Sequence, residues 1–135
     1  MTSAAPTTGR RRALAIAAGG AVVLLTGCSA AQQPTVEDVA TTFEDPAADP
    51  ETRCDLLAPK TLAAMEKDGS CTEAVEQLSL DGGEVIAVEI WGGEAQVRFD
   101  GDTVFLTETS AGWRVVAAAC QARGDAPYDC EVEGS

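Results

Sequence analysis

Apolar residues after residue 34 recur at the spacing of one helical face. The residues on that face are Val36, Val39, Ala40 and Phe43. Thr35, followed three residues later by Asp38, is typical of a capped helix start. Because a helix rarely continues into a proline, Pro46 predicts the helix end. The pattern therefore predicts a first helix over residues 35–45.

Three further short helices are indicated before residue 80. Asp49 followed by Pro50 is typical of an N-cap and a first helical residue. Pro59 predicts the start of the next helical turn, and Ser70 with Glu73 gives another capping pattern. The front half of the chain is therefore predicted to be helical, in several short pieces.

The period of the pattern changes after residue 81. Residues 85–91 form a β-branched apolar run, and residues 94–99 alternate strictly between apolar and polar. Further strands are predicted over residues 103–107 and 113–119. The turns between strands are Gly92-Gly93, Asp100-Gly101 and Ser110-Ala111-Gly112. Helices followed by an antiparallel meander predict an α+β fold.

Composition limits the partners of this domain. The chain has 135 residues and a net charge of −13, and every one of its 22 acidic residues follows Cys28. If Arg10, Arg11 and Arg12 are removed with the segment before Cys28, six of the nine basic residues remain and the net charge becomes −16. Such a chain repels nucleic acid and anionic headgroups, so no nucleic-acid partner and no basic membrane patch are predicted.

The segment before Cys28 has the layout of a secretory signal, with a basic head at Arg10-Arg11-Arg12 and an apolar run over residues 13–25. Leu25-Thr26-Gly27-Cys28 resembles the lipobox of bacterial lipoproteins. The resemblance implies cleavage before Cys28 and a diacylglyceryl lipid on its thiol. The alternative of a transmembrane helix is disfavoured, because a span needs about 20 apolar residues.

The lipobox implies a localisation and a domain layout. Residues 1–27 are then the signal peptide, residues 28–34 a polar lipidated tether, and residues 35–135 the domain. The lipid on Cys28 holds the protein on the extracytoplasmic face of the cell membrane. The pattern leaves general secretion and twin-arginine export both open.

The four other cysteines form an even set in an oxidising compartment, which predicts two disulfides. Three pairings are open, and Cys54–Cys71 with Cys120–Cys130 is favoured because each pair brackets a short segment. A zinc site is disfavoured because the chain has no histidine and lacks closely spaced cysteines. No metal ion and no cofactor are predicted.

The predicted strands resemble the C-terminal strands of NTF2-like domains. The resemblance lies in Ala95-x-Val97, Val104-Phe105-Leu106 and Gly112-Trp113-Arg114-Val115. More closely, the chain is similar to small lipoproteins of high-GC Gram-positive bacteria. The resemblance implies a cone in which short helices pack on a curved antiparallel sheet, with a pocket between the two layers. The tail closed by Cys120–Cys130 departs from the general NTF2-like pattern.

Single residues offer few signs of chemistry. Asp55 and Glu89 fall within apolar stretches and are the candidates for a buried general base. Asp100 and Asp102 are interpreted as a solvated turn, because an EF-hand loop needs more acidic positions. Trp113 is predicted in the core. Trp91 is considered as a partly exposed binding aromatic.

The sequence therefore predicts no catalytic residue and favours a lipid-anchored binding or accessory protein over an enzyme. Its expected partners are the membrane, through the Cys28 lipid, and an apolar small molecule or an envelope protein. Two alternatives stay open. One is a small isomerase-like or dehydratase-like enzyme that uses a buried carboxylate, and the other is a docking subunit of an envelope complex.

Overall fold

The computed structural model describes residues 2–4, 27–80 and 82–134 of the chain. Four helices come first and five strands follow, so the predicted α+β class is confirmed. The helices are α1 (Gly27–Glu44), α2 (Pro50–Asp55), α3 (Pro59–Met65) and α4 (Cys71–Glu76). The strands are β1 (Val85–Trp91), β2 (Glu94–Phe99), β3 (Thr103–Thr109), β4 (Gly112–Arg123) and β5 (Ala126–Glu133).

Helix α1 begins well before the predicted start at Thr35. Residues 28–34, which the sequence predicts to be a tether, are helical, and Pro34 lies inside the helix. Alanine and glutamine favour helix, and both dominate this stretch. The helix start was predicted too late because it was based on missing apolar periodicity, which reports burial and not helicity.

The short helices begin where the capping residues predict. The Asp49 side chain accepts a hydrogen bond from the backbone N–H of Thr52 at 3.0 Å, with Pro50 as the first helical residue of α2. The Ser70 hydroxyl accepts from the backbone N–H of Glu73 at 3.3 Å and caps α4. Each side-chain oxygen satisfies an N–H group that has no partner within its helix.

The five strands form one antiparallel sheet in the order β1-β2-β3-β4-β5. The three predicted turns join the first four strands. Strand β4 extends past the predicted end at Ala119, to Arg123. The pairing of β3 with β4 shifts near Ala119, which has a φ of 51°. This irregularity lies beside the buried polar residues described below.

The C-terminal tail forms a fifth strand, whereas no strand was predicted after residue 119. Tyr128, Cys130 and Val132 alternate with acidic residues, which is the period of a strand with one buried face. This alternation was visible in the sequence.

All the helix–sheet packing among the described residues lies on one face of the sheet. Helix α1 packs on strands β1 to β4, and α3 packs on β4 and β5. The side chains between these layers are almost fully buried, among them Val36, Phe43, Val97, Leu106 and Val115. The space where the resemblance implies a pocket is therefore occupied by the hydrophobic core.

Both predicted disulfides are present. Cys54–Cys71 joins α2 to α4, and Cys120–Cys130 joins the paired strands β4 and β5. Cys28 has a free, exposed thiol. Most of the predicted signal peptide lies outside the described residues. Within the described part of the chain, no helix is long and apolar enough to cross a membrane.

Candidate functional site

Three charged side chains are buried together near the C-terminal end of α1. Glu44, Arg53 and Asp102 are 5%, 2% and 5% exposed. They come from the last residue of α1, the middle of α2 and the segment before β3. Burying charge is costly unless partners compensate it, so this group is the strongest candidate for a functional site.

Arg53 joins three helices through its guanidinium group. Its Nε donates a hydrogen bond to the carbonyl of Phe43 at 2.8 Å, and its Nη1 donates to the carbonyl of Val75 at 3.0 Å. The guanidinium carbon lies 5.3 Å from the centre of the Phe43 ring. Burial lowers the pKa of Arg53, whereas the nearby carboxylates, Glu44 foremost, raise it. The Nη2 atom is buried and makes no hydrogen bond.

Glu44 faces Asp102 inside the protein. The pKa of Glu44 is raised to about 8, first by burial and then by the charge of Asp102 and a contact between the two carboxyl groups. Arg53 and the backbone N–H of Ala119 act in the opposite direction on this pKa. Both carboxyl oxygens of Glu44 are buried away from solvent. Because two adjacent carboxylates resist joint ionisation, the pair favours a shared proton.

Close backbone approaches bring this group together. A Cβ atom on Gly82 would lie 3.0 Å from the Cβ of Glu44, so glycine allows the chain to cover the carboxyl pair. The N–H of Gly101, in the β2–β3 turn, donates to the carbonyl of Gly82 at 3.3 Å. Glu44, Gly82, Asp102 and Ala119 are named the carboxylate end of the fold.

A surface cavity of about 350 Å³ lies beside Arg53. It opens between the α1–α2 loop and the segment that follows α4. Its apolar lining consists of Pro46, Ala47, Ala48, Pro50, Val75, Leu78 and Leu80. Arg53, Asp49 and Glu76 are its charged lining residues. Ligand sites are commonly apolar with a few polar groups. Most residues that line this cavity are apolar, but polar atoms make up the larger part of its surface.

The cavity and the carboxyl pair differ in what they can contact. The carboxyl oxygens of Glu44 and Asp102 are closed off from solvent, so a bound molecule does not reach them in this conformation. The cavity is open and has room for a small apolar molecule. Among the described residues, no group of three or more acidic, cysteine or histidine side chains has a metal-binding arrangement.

The structure separates the residues that the sequence singled out. Asp55 and Glu89 are exposed, so the expectation of a buried general base at either position was wrong. Asp102 is buried rather than solvated, which corrects the interpretation of the turn. Trp113 is in the core at 4% exposure, as predicted, and Trp91 is 51% exposed.

Sequence reasoning missed Glu44 and Arg53, although both carried a signal. Glu44 continues the i, i+4 series of buried residues from Val36 and Ala40 on α1. Arg53 lies next to the buried Cys54 and one helical turn before the buried Leu57. A charged residue at an apolar position of a predicted helix has two readings. It indicates either a buried charge or an error in the helix assignment, and the first reading is as good as the second.

Comparison with known proteins adds no family to this description. No protein-family model, no curated protein and no solved structure matches the chain. Function is therefore inferred from the residues of the cavity and of the buried cluster.

Proposed function

We propose that this chain is a lipid-anchored protein of the extracytoplasmic membrane face that binds a small, neutral, apolar molecule in the cavity beside Arg53. The lipobox ending at Cys28 supports the anchor, and the open cavity with seven apolar lining residues and a buried arginine at its wall carries the binding proposal. An NTF2-like classification is part of the same proposal. It is supported by helices that pack on one face of an antiparallel meander.

The lining of the cavity defines the chemical class of the ligand. Its apolar side chains favour a hydrocarbon body, because burying apolar surface contributes about 25 cal/mol per Å². Arg53 is the only base among the described lining residues, and its guanidinium is buried and bonded to the carbonyls of Phe43 and Val75, so it contributes positive charge to the cavity wall and not a hydrogen bond to the ligand.

The acidic residues around the cavity disfavour an anionic ligand. Asp49 and Glu76 line it, and Asp45 acts electrostatically on Arg53. These carboxylates, together with the overall negative charge of the protein, repel an anionic ligand. A neutral molecule avoids this repulsion.

Nile red, a neutral apolar dye with a carbonyl group, tests the proposal by fluorescence titration of the disulfide-bonded domain that starts at Ser29. Ala48→Phe fills the cavity and is expected to weaken dye binding at least several-fold. Ala63→Phe is the matched control, because Ala63 is exposed on α3 and does not line the cavity. Equal dye binding by the wild type and Ala48→Phe would contradict the proposed site.

The raised pKa of Glu44 favours a second candidate function, an isomerase-like or dehydratase-like enzyme that uses a carboxyl group as an acid or base. The enclosed carboxyl oxygens require an opening of the Gly82 segment for such chemistry. A survey with small ketone and steroid substrates tests this candidate. Turnover that is lost in Glu44→Gln, with an unchanged circular dichroism spectrum, would favour the enzyme over the binding protein.

A further inference from the structure

The N-terminal end of α1 lies at one end of the sheet, together with two strand turns. The side-chain amide of Gln32 donates a hydrogen bond to Glu108 near the end of β3, at 3.5 Å. The N–H of Glu108 in turn donates to the carbonyl of Gly93 in the β1–β2 turn, at 2.7 Å. Residues 28–33, 91–93 and 109–112 are named the anchor end of the fold.

The anchor end is opposite the carboxylate end along α1. Glu44 is the last residue of α1, whereas Cys28 is in its first turn. Because a helix rises about 1.5 Å per residue, Gln32 is only about 6 Å from Cys28 along the helix axis. The β3–β4 and β1–β2 turns therefore lie close to the proposed lipid attachment point.

The anchor end differs from the rest of the domain in charge. Its three segments read Cys-Ser-Ala-Ala-Gln-Gln, Trp-Gly-Gly and Thr-Ser-Ala-Gly, without one charged residue, although Glu94 and Glu108 border it. All 22 acidic residues of the chain lie outside these segments. An anionic leaflet repels acidic surface within a Debye length of about 8 to 10 Å. Glu94 and Glu108 border this end and the other 20 acidic residues lie elsewhere in the chain, so this end approaches a membrane at lower cost than the acid-rich remainder of the domain.

Trp91 is the exposed aromatic residue of this end. Its side chain is 51% exposed at the end of the edge strand β1, next to the β1–β2 turn. Indole rings favour the headgroup layer of a bilayer, because they combine an apolar body with a polar N–H group. An exposed tryptophan in an uncharged end close to the anchor fits that layer.

We infer that the anchor end rests on the bilayer that holds Cys28, with the Trp91 side chain in the phospholipid headgroup layer. The inference depends on the lipid anchor in the proposed function. In this orientation, α1 carries the domain directly from the lipid without a flexible tether. The carboxylate end then points away from the membrane.

Tryptophan fluorescence of the full-length lipidated protein tests this orientation. The protein is reconstituted in vesicles of equal parts phosphatidylethanolamine and phosphatidylglycerol that contain a headgroup spin-labelled lipid as quencher. In the Trp113→Phe variant, Trp91 is the remaining tryptophan. Its emission is expected to shift to shorter wavelength when the protein binds the vesicles. The spin label should quench this emission several-fold more than it quenches Trp113 in the Trp91→Phe variant.

Ile86→Trp, in the Trp91→Phe, Trp113→Phe background, is the matched control. Ile86 is 57% exposed on the same strand. At the rise of a β-strand it lies about 16 Å from Trp91. Quenching at that position should stay low. Equal quenching at both positions, or free quenching of Trp91 by aqueous iodide in the membrane-bound protein, would overturn the inference.

Flotation of the same vesicles separates the two proposals. If the protein does not float, or if Cys28→Ser floats as well as the wild type, the lipid anchor itself is wrong. If the protein floats through Cys28 but Trp91 stays in water, the anchor stands and the orientation alone is overturned.

Discussion

The two ends of α1 deal with polarity in opposite ways. The anchor end has no charged residue and exposes a large aromatic side chain. The carboxylate end encloses Glu44 and Asp102, beside the buried Arg53. The anchor end therefore exposes apolar surface to solvent, and the carboxylate end buries charged groups in the interior.

This contrast separates two uses of a single helix. Burying ionisable groups makes the carboxylate end sensitive to protonation, because ionisation of Glu44 requires a second charge beside Asp102. The anchor end has no comparable group and owes its properties to surface chemistry alone. Changes at the carboxylate end should therefore alter stability, whereas changes at the anchor end should alter interactions and leave stability nearly constant.

The largest expected effect is a pH-dependent loss of stability caused by Glu44. Its pKa is raised from 4.5 to about 8 in the folded protein. Its stabilising contribution is complete below the ordinary pKa of 4.5 and is lost as the pH rises towards about 8. The shift corresponds to a loss on the order of 5 kcal/mol. Glu44→Gln should remove this slope from urea unfolding measured between about pH 5 and pH 9.

Glu37→Gln on the same helix is the control for this measurement. Glu37 lies outside the buried cluster, and its replacement should leave the pH dependence of unfolding as it is in the wild type. A wild-type slope that persists in Glu44→Gln would show that the buried pair does not govern stability between these pH values.

Arg53→Met should destabilise the fold by about 3 to 5 kcal/mol, because it removes one partner of a buried charged group and leaves two carbonyls without their donor. Thermal unfolding of the disulfide-bonded protein measures this loss. Arg123→Met is the control, because Arg123 is exposed at the end of β4. The double variant Arg53→Met, Glu44→Gln should lose less stability than the sum of the losses in the two single variants. Strict additivity of the two losses would contradict an interaction between the two residues.

The two disulfides give the next smaller effect. Replacing Cys54 and Cys71 by serine should cost about 3 kcal/mol through the loop that they close, and more if α2 and α4 separate around Arg53. Replacing Cys120 and Cys130 should cost less, because they close a shorter loop and the two strands remain hydrogen-bonded. Urea unfolding of both double variants compares the two losses of stability. A larger loss on replacing Cys120 and Cys130 than on replacing Cys54 and Cys71 would contradict this prediction.

The smallest effect on stability is expected at the anchor end. Trp91→Ser should change the free energy of unfolding by only a few tenths of a kcal/mol, because substitutions of exposed side chains rarely alter stability. The buried Trp113 is the internal reference, and Trp113→Ala should cost about 3 to 5 kcal/mol. Chemical unfolding of both variants gives the comparison, and a large loss in Trp91→Ser would mean that this residue supports the fold.

Local sequence signals predicted most of the secondary structure. Caps at Asp49 and Ser70 and glycine turns after β1 and β2 depend on neighbouring residues, so their physics is visible in the sequence. The cysteine pairs were also predictable, because an oxidising compartment and short spacing favour them. The lipid on Cys28 stays a prediction from the sequence.

Only the tertiary structure decided where the charges lie. Glu44, Arg53 and Asp102 are distant in sequence and meet because α1, α2 and the β2–β3 turn converge, which no local pattern encodes. The fold also exposed Asp55 and Glu89, filled the predicted pocket with core side chains and added strand β5. Burial depends on packing between distant segments, so the sequence alone determined most of the elements of this protein but not the environment of its ionisable groups.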